Sequence, residues 1–317
     1  MTASESSSSS TNSVIRNMIA GGTARVVAAT ALHPIDLAKT RMQFQRKHAL
    51  GGEAHYYRNG LHAITHTFQS EGPLALYRGL WVRLAYAVPS AAVNFTIYAE
   101  TKHALTDPHG TWYGPAIGVV VAVATRILQT SVRTPFDVVK QQLQVQGMRG
   151  AGLEHEHAPQ PMRGSTARTI RTIVRKESFV GFFSGFAATI ARDLAFAAVY
   201  FGSYELLKWL GKRVDSDASR HRFAKFGVAG AGAGAISTVL TIPLDVVKTR
   251  LQTQAQAKQR LYTSSVDVVR SILQHEGARA FWRGCGPRIA QTMPAAAITF
   301  STFEFMSDRL KDVRFVH

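Results

Sequence analysis

Along the chain, apolar residues gather in stretches that stop at charged positions. The longest uncharged stretch, Phe226 to Leu244, has 19 residues, close to the ~20 needed to cross bilayer hydrocarbon. Others run from Leu84 to Ala99, Ser178 to Ala191 and Ile289 to Phe303. Two more cover residues 112–125 and 26–35, each extended by a polar segment compatible with helix. The pattern predicts six long helices. Most are too short to span unless the ionisable residues at their ends face the inside of a bundle, where charges line a cavity or pair with one another. A soluble bundle of unusually apolar helices fits the same pattern, so apolarity alone leaves both open.

Composition narrows the choice. Charged residues are 18% of the 317, against roughly 25% in ordinary soluble proteins, while the mean hydropathy of -0.03 is too polar for a stack of lipid-facing helices. The formal charge of +17 suits nucleic acid, an anionic membrane or an anionic substrate. The recurring apolar stretches disfavour nucleic acid. A lone cysteine, Cys285, rules out an internal disulfide framework and any multi-cysteine zinc site. Residues 1–13 contain no Lys or Arg and no apolar core, so they read as a solvated tail without a cleavable presequence.

An internal repeat decides between the readings. HPIDLAKTRMQ at 33–43, TPFDVVKQQLQ at 134–144 and IPLDVVKTRLQ at 242–252 match one another. Each closes an apolar stretch. Each is followed by a polar loop, a short amphipathic stretch, an aromatic-x-Gly element and a second long apolar stretch. Those elements are Tyr77-Arg78-Gly79, Phe183-Ser184-Gly185 and Trp282-Arg283-Gly284. The chain therefore divides into a tail at 1–13 and repeats at 14–108, 109–215 and 216–317. Internal repeats of this kind are a common plan in transporters.

The pattern resembles the mitochondrial carrier family, whose motif is Pro-x-acidic-x-x-basic followed by acidic-Gly and aromatic-basic-Gly. Here the first element is Pro34, Asp36, Lys39; Pro135, Asp137, Lys140; and Pro243, Asp245, Lys248. Glu71-Gly72 and Glu276-Gly277 supply the second. Repeat two departs with Glu177-Ser178, and with Ser184 in place of the basic residue. The resemblance implies an all-α membrane protein with six transmembrane helices in three tandem two-helix repeats. It adds short matrix helices, threefold pseudosymmetry, a mitochondrial inner-membrane location and alternating access to one central site. A monomer is expected.

The motif has a physical logic. Proline removes a backbone N–H and kinks a helix; three kinks at equal depth would draw the odd-numbered helices together. Asp and Lys three apart share a helix face, so the Asp of one helix can reach the Lys of the next and close a ring of three pairs at the matrix end. Gln43, Gln144 and Gln252, one turn beyond each Lys, read as braces. Near the ends of the even helices the family carries aromatic-acidic-x-x-basic. Repeat two keeps it, with Tyr204, Glu205 and Lys208, whereas Ala99 and Ser307 interrupt it elsewhere. The expected cytosolic gate then has one complete pair, Lys102–Glu304.

Substrate residues are sought where the repeats differ. Aligning the even helices on Pro89, Ala195 and Pro294 brings Tyr86, Arg192 and Gln291 level, three residues earlier. These positions, with Thr292 beside the last, resemble the family's contact points. Arg192-Asp193 looks like an amino-acid-type contact, with Arg for a carboxylate and Asp for an ammonium. Arg25 and Arg126 lie eleven residues before Asp36 and Asp137, close to three whole turns, and should face the same funnel. Arg83 and Arg288, one turn before Tyr86 and Gln291, could also reach it. The expected substrate is an amino acid or amino-acid-like zwitterion, S-adenosylmethionine included. A nucleotide, which Tyr86 could stack on, a nucleotide-containing cofactor or a carboxylate stays open, as does a non-transporting scaffold.

Arg78-Gly79, Gly185 and Arg283-Gly284 resemble the family's cardiolipin sites, where helix N-termini meet lipid phosphate. Structural cardiolipin is the one bound group expected; no cofactor is. Gly21, Gly22, Gly230, Gly232 and Gly234 should allow close helix packing. His62 and His66, four apart, read as a surface face, and Glu154-His155-Glu156-His157 as a solvated loop. No metal site and no catalytic residue is expected, since no triad, phosphate-binding Gly loop or paired metal motif occurs. Three complete pairs at one end against one at the other predict a resting preference for the state open to the cytosol. Comparing thermal stability with inhibitors that trap each state tests this, and equal stability would contradict it.

Overall fold

The computed structural model describes residues 16, 19–45, 57–86, 115–148, 165–214, 222–254 and 262–309. Within them only the backbone is described at 115–122, 211–214, 222–229, 293, 296, 297, 300, 303, 304 and 307. The described chain is helical, with no strand. In order come α1 (19–31), α2 (His33–Phe44), α3 (Gly60–Glu71), α4 (80–86) and α5 (Pro115–Val145). There follow α6 (Thr166–Glu177), α7 (Phe186–Val214), α8 (Arg222–Thr253), α9 (Ser265–His275) and α10 (Cys285–Arg309). A 3-10 turn follows each short helix, at Pro73–Tyr77, Phe179–Phe183 and Ala278–Trp282. Two described segments, Phe179–Leu210 and Gly230–Thr253, are long and apolar enough to cross a membrane. Most of the apolar stretch from Leu84 to Ala99 lies outside the described residues, as do the 1–13 tail and the loop at 154–157.

The three prolines act differently. Leu32, just before Pro34, leaves helical geometry at φ -96°, ψ 2° and separates α1 from α2. Pro135 and Pro243 lie inside continuous helices. Beside them, Thr134 donates its hydroxyl to the Thr130 carbonyl and Thr241 to that of Ser237, both at 2.6 Å.

Three small apolar clusters hold the short helices beneath the C-terminal halves of α2, α5 and α8. Ala63 of α3 meets Ala38, Met42 and Val145. Ile173 of α6 meets Val138, Val139 and Leu143. Val268 and Ile272 of α9, both fully buried, meet Val246, Val247 and Leu251. Each fully buried aliphatic side chain contributes about 1.5–3 kcal/mol. Asn59 caps α3, accepting from the His62 amide at 2.8 Å, and Ser264 with Asp267 forms a capping box on α9. Elsewhere in the bundle, Gly230 and Gly232 lie against Tyr200 and Leu207 of α7, as expected of packing glycines. At Gly21 and Gly22 nothing among the described residues lies within 4 Å of the space a side chain would take.

Buried charge ties each short helix to its neighbours. Arg41, fully buried, donates to both Glu71 oxygens, at 2.5 and 3.1 Å, and to the carbonyls of Gln144 and Gln146. Arg78 joins the same Glu71 and donates to the Gln146 carbonyl at 2.7 Å. Arg250 and Arg283 repeat this around Glu276 and the carbonyls of Gln43 and Gln45. Repeat two differs. Gln142 replaces the buried Arg and donates to the Gln252 carbonyl at 3.2 Å, and Ser184 donates to the Leu251 carbonyl at 3.1 Å.

Burial raises the Glu276 pKa, but the bonds and charges of Arg250 and Arg283 outweigh it and hold the carboxyl below its ordinary 4.5. A carboxylate depressed in the folded state stabilises above its unfolded pKa, and that contribution fades as pH falls towards the folded value. Glu276→Gln leaves the buried Arg250 without its counter-charge, at an expected cost of about 3–5 kcal/mol. The gap in Tm from wild type should hold from pH 8 to pH 5, begin to shrink near 4.5 and close only below the lowered folded value. An unchanged Tm at pH 7 would contradict this.

Candidate functional site

The C-terminal halves of α2, α5 and α8 converge, and their motif residues form a closed ring. Lys140 pairs with Asp36 at 2.5 Å. Lys248 pairs with Asp137 at 3.0 Å. Lys39 pairs with Asp245. The chain order thus links α2 to α5, α5 to α8, and α8 back to α2. The side chains of Lys248 and Asp245 are only 4% exposed, so the pairs sit where screening is weak and desolvation is costly.

The three Gln braces are not equivalent. Gln144 donates to Asp36 at 3.1 Å and accepts from the Thr40 hydroxyl at 2.8 Å. Gln43 donates to Asp245 at 3.3 Å and accepts from Thr249 at 2.8 Å. Gln252 does not brace: it is fully buried, yet neither side-chain polar atom has a hydrogen-bond partner among the described residues. The cause lies one residue after each Lys. Thr40 and Thr249 hold the braces in place, but the third position is Gln141, whose Oε1 is also without a partner. A long amide there cannot present a hydroxyl to the incoming Gln.

The aromatic-x-Gly turns complete the collar. A side chain at Gly79 would come within 3.0 Å of the Lys140 carbonyl, one at Gly185 within 3.3 Å of that of Lys248, and one at Gly284 within 3.3 Å of that of Lys39. All three have φ between 74° and 82°, a region open to glycine at little cost. Each turn therefore sits on the backbone of the next ring lysine. These glycines carry a structural duty in addition to the lipid contact expected of them, and Arg78 and Arg283 turn their guanidinia inwards to Glu71 and Glu276.

A layer of substrate candidates lies directly on the ring. Arg83 approaches Asp36 at 3.7 Å, and Gln291 donates to the same carboxylate at 3.2 Å. Arg288 and Arg192 approach Asp245 at 3.6 and 3.9 Å. Arg192 is also paired with Asp193. Tyr86 lies beside Phe136, ring centres 5.6 Å apart. Thr292 turns its hydroxyl onto its own helix, donating to the Arg288 carbonyl at 2.8 Å. Arg25 and Arg126 are exposed and stay apart from this cluster; Arg126 meets Gln129 at 3.4 Å. Eleven residues of helix place them roughly 16 Å away along the axis.

Arg133 belongs to the cluster and was not among the sequence candidates. It contacts Asp137 at 3.0 Å and Asp193 at 3.9 Å. Its signal was its place one turn before Asp137, on the same face. The repeat concealed it, because Leu32 and Thr241 occupy the matching positions. The described cluster holds seven cations (Lys39, Lys140, Lys248, Arg83, Arg133, Arg192, Arg288) around four carboxylates (Asp36, Asp137, Asp193, Asp245). The excess of positive charge suits the cluster to an anionic group.

At the other end, Glu205 and Lys208 pair at 3.3 Å within α7, and the Glu205 side chain is 67% exposed. Lys102 and the Glu304 side chain lie outside the described residues. His62 and His66 sit on the outer face of α3 beside Tyr57.

A family profile described as mitochondrial carrier protein matches residues 10–109, 111–213 and 219–314. A chloroplastic nicotinamide adenine dinucleotide transporter of Arabidopsis thaliana is 31% identical over 92% of this chain and 91% of its own length. A mitoferrin of Dictyostelium discoideum is 33% identical over 91% and 92%. A human mitochondrial electrogenic aspartate/glutamate antiporter is 32% identical over 90% of this chain, which spans 40% of that protein's length.

Restoring the missing brace tests the reading of the ring. Gln141→Thr should let Gln252 reach Asp137, adding about 1 kcal/mol, or roughly 2–4 °C in Tm, while slowing exchange across liposomes. A lower Tm with faster exchange would contradict it.

Proposed function

The chain belongs to the mitochondrial carrier family and is a transporter, not an enzyme. From that premise we propose that it moves a small metabolite bearing at least one anionic group, first an amino acid or amino-acid-like zwitterion, across the mitochondrial inner membrane by alternating access. The proposed frame is six membrane-spanning helices in a threefold pseudosymmetric bundle, acting as a monomer. The observation that carries the proposal is the contact between substrate candidates and ring. Arg83, Arg192 and Arg288 each lie within 4 Å of a ring carboxylate.

The mechanism follows from competition. In the empty site these arginines share the ring carboxylates with the lysines. A substrate carboxylate forms charge-assisted bonds to the same guanidinia, and each bond it takes weakens the hold on Asp36 or Asp245. The ring pairs offset their desolvation by a narrow margin, so this differential binding is enough to favour opening. Asp193 stands ready for an ammonium once the substrate anion draws Arg192 away from it.

A second reading, a nucleotide or nucleotide-containing cofactor, draws support from the Tyr86–Phe136 ring pair beside the arginines and from the relative named as a nicotinamide adenine dinucleotide transporter. Cardiolipin would occupy the clefts beside the aromatic-x-Gly turns. One such cavity, of about 550 Å³ between α3 and the start of α10, is lined by Asn59, Gly60, Trp282 and Gly284.

A thermal-shift screen of the purified protein against amino acids, S-adenosylmethionine, nucleotides and dicarboxylates tests the substrate class, because a ligand of the folded state raises Tm. An amino acid or zwitterion should shift wild type, and Arg192→Ala should lose both shift and exchange while staying folded. Asp193→Asn should selectively impair substrates that carry an amino group. A shift by nucleotides or dicarboxylates alone would overturn the amino-acid reading. Normal kinetics in Arg192→Ala would remove that residue from the site.

A further inference from the structure

The three corners of the ring are held unequally. Asp36 has Lys140, Gln144, Gln291 and Arg83 around it. Asp245 has Lys39, Gln43, Arg288 and Arg192. Asp137 has only Lys248 and Arg133 among the described residues, because Gln252 fails to reach it. Arg133 therefore stands in for the brace at this corner.

Its position differs from that of a brace in one respect. A Gln brace is buried beyond the ring, whereas Arg133 lies on the substrate side, its side chain 35% exposed against 9% for Arg192. It also faces Asp193, the partner of Arg192. The guanidinium sits at 3.0 Å from the ring carboxylate but only 3.9 Å from Asp193, so a shift towards the substrate pair lengthens its hold on Asp137.

We propose that Arg133 transmits substrate binding to the gate: an anionic group of the substrate draws its guanidinium off Asp137, and the unbraced Asp137–Lys248 corner opens first. This rests on the anionic-substrate reading above and adds a residue and an order to it. The seam between α5 and α8 is then the one that parts at the start of each cycle.

The test is exchange in proteoliposomes with L-aspartate and NAD as probes, using wild type, Arg133→Gln and Arg133→Lys, with Tm measured alongside. Arg133→Gln should raise KM about tenfold or more, the worth of one bond to a charged group, and lower the Tm of the empty protein. Adding Gln141→Thr should recover that Tm, by supplying the missing brace, but not the KM. Arg133→Lys, which keeps the charge without the fork, should fall between and decides the matter if Arg133→Gln does not fold. Wild-type KM in the substituted proteins would overturn the proposal while leaving the anionic-substrate reading standing. A wild type that exchanges neither probe, nor any anion of the thermal-shift screen, would remove both.

Discussion

The ring of three ion pairs is the interaction on which the other parts depend. Six charges are held in a place of low dielectric, where removing them from water is expensive and only good geometry returns the cost. Asp36, Asp137 and Asp245 are brought together because their helices converge, and the helices converge because the collar outside the ring holds them. Arg41 and Arg250 fasten the short helices to the carbonyl ends of the neighbouring long ones. Gly79, Gly185 and Gly284 let the turns seat on the lysine backbones. The fold outside the ring is strongly bonded, and the ring within it is narrowly balanced. In the proposed mechanism that contrast lets the ring break without unfolding the bundle.

The substrate candidates are not a separate site above a gate. Arg83, Arg133, Arg192 and Arg288 contact the ring carboxylates themselves, so in the proposed mechanism occupancy of the site and closure of the ring draw on the same charges. Coupling then needs no long path through the protein. A ligand shifts the equilibrium by its differential affinity for the two arrangements, and an anion has such a difference built in.

Much of this was legible in the sequence because it is written three times. The prolines, Asp–Lys pairs and aromatic-x-Gly turns recur in register, and recurrence distinguishes a ring from three solvated faces. What the sequence concealed are single departures. Arg133 looks like any polar residue before a proline until its turn is counted from Asp137. Gln43, Gln144 and Gln252 are identical letters, yet their fates differ because Thr40 and Thr249 are matched by Gln141. The neighbours of a brace belong to another helix, and one-dimensional spacing does not display them. Ser178 shows a departure with a visible cost. It takes the positive-φ, extended-ψ conformation, φ 56° and ψ -166°, that Gly72 and Gly277 adopt in the other repeats, at roughly 1–3 kcal/mol for a residue with a side chain.

The central claim is that the ring must part for transport to occur. It is tested most directly by tying one seam shut. In a Cys285→Ser background, cysteines at Thr40 and Gln144, whose side chains meet at 2.8 Å across α2 and α5, can be joined by a short, reducible bifunctional thiol reagent in proteoliposomes. The account expects exchange to stop on cross-linking and to resume on reduction. Fully cross-linked protein that exchanges at the uncross-linked rate would contradict it.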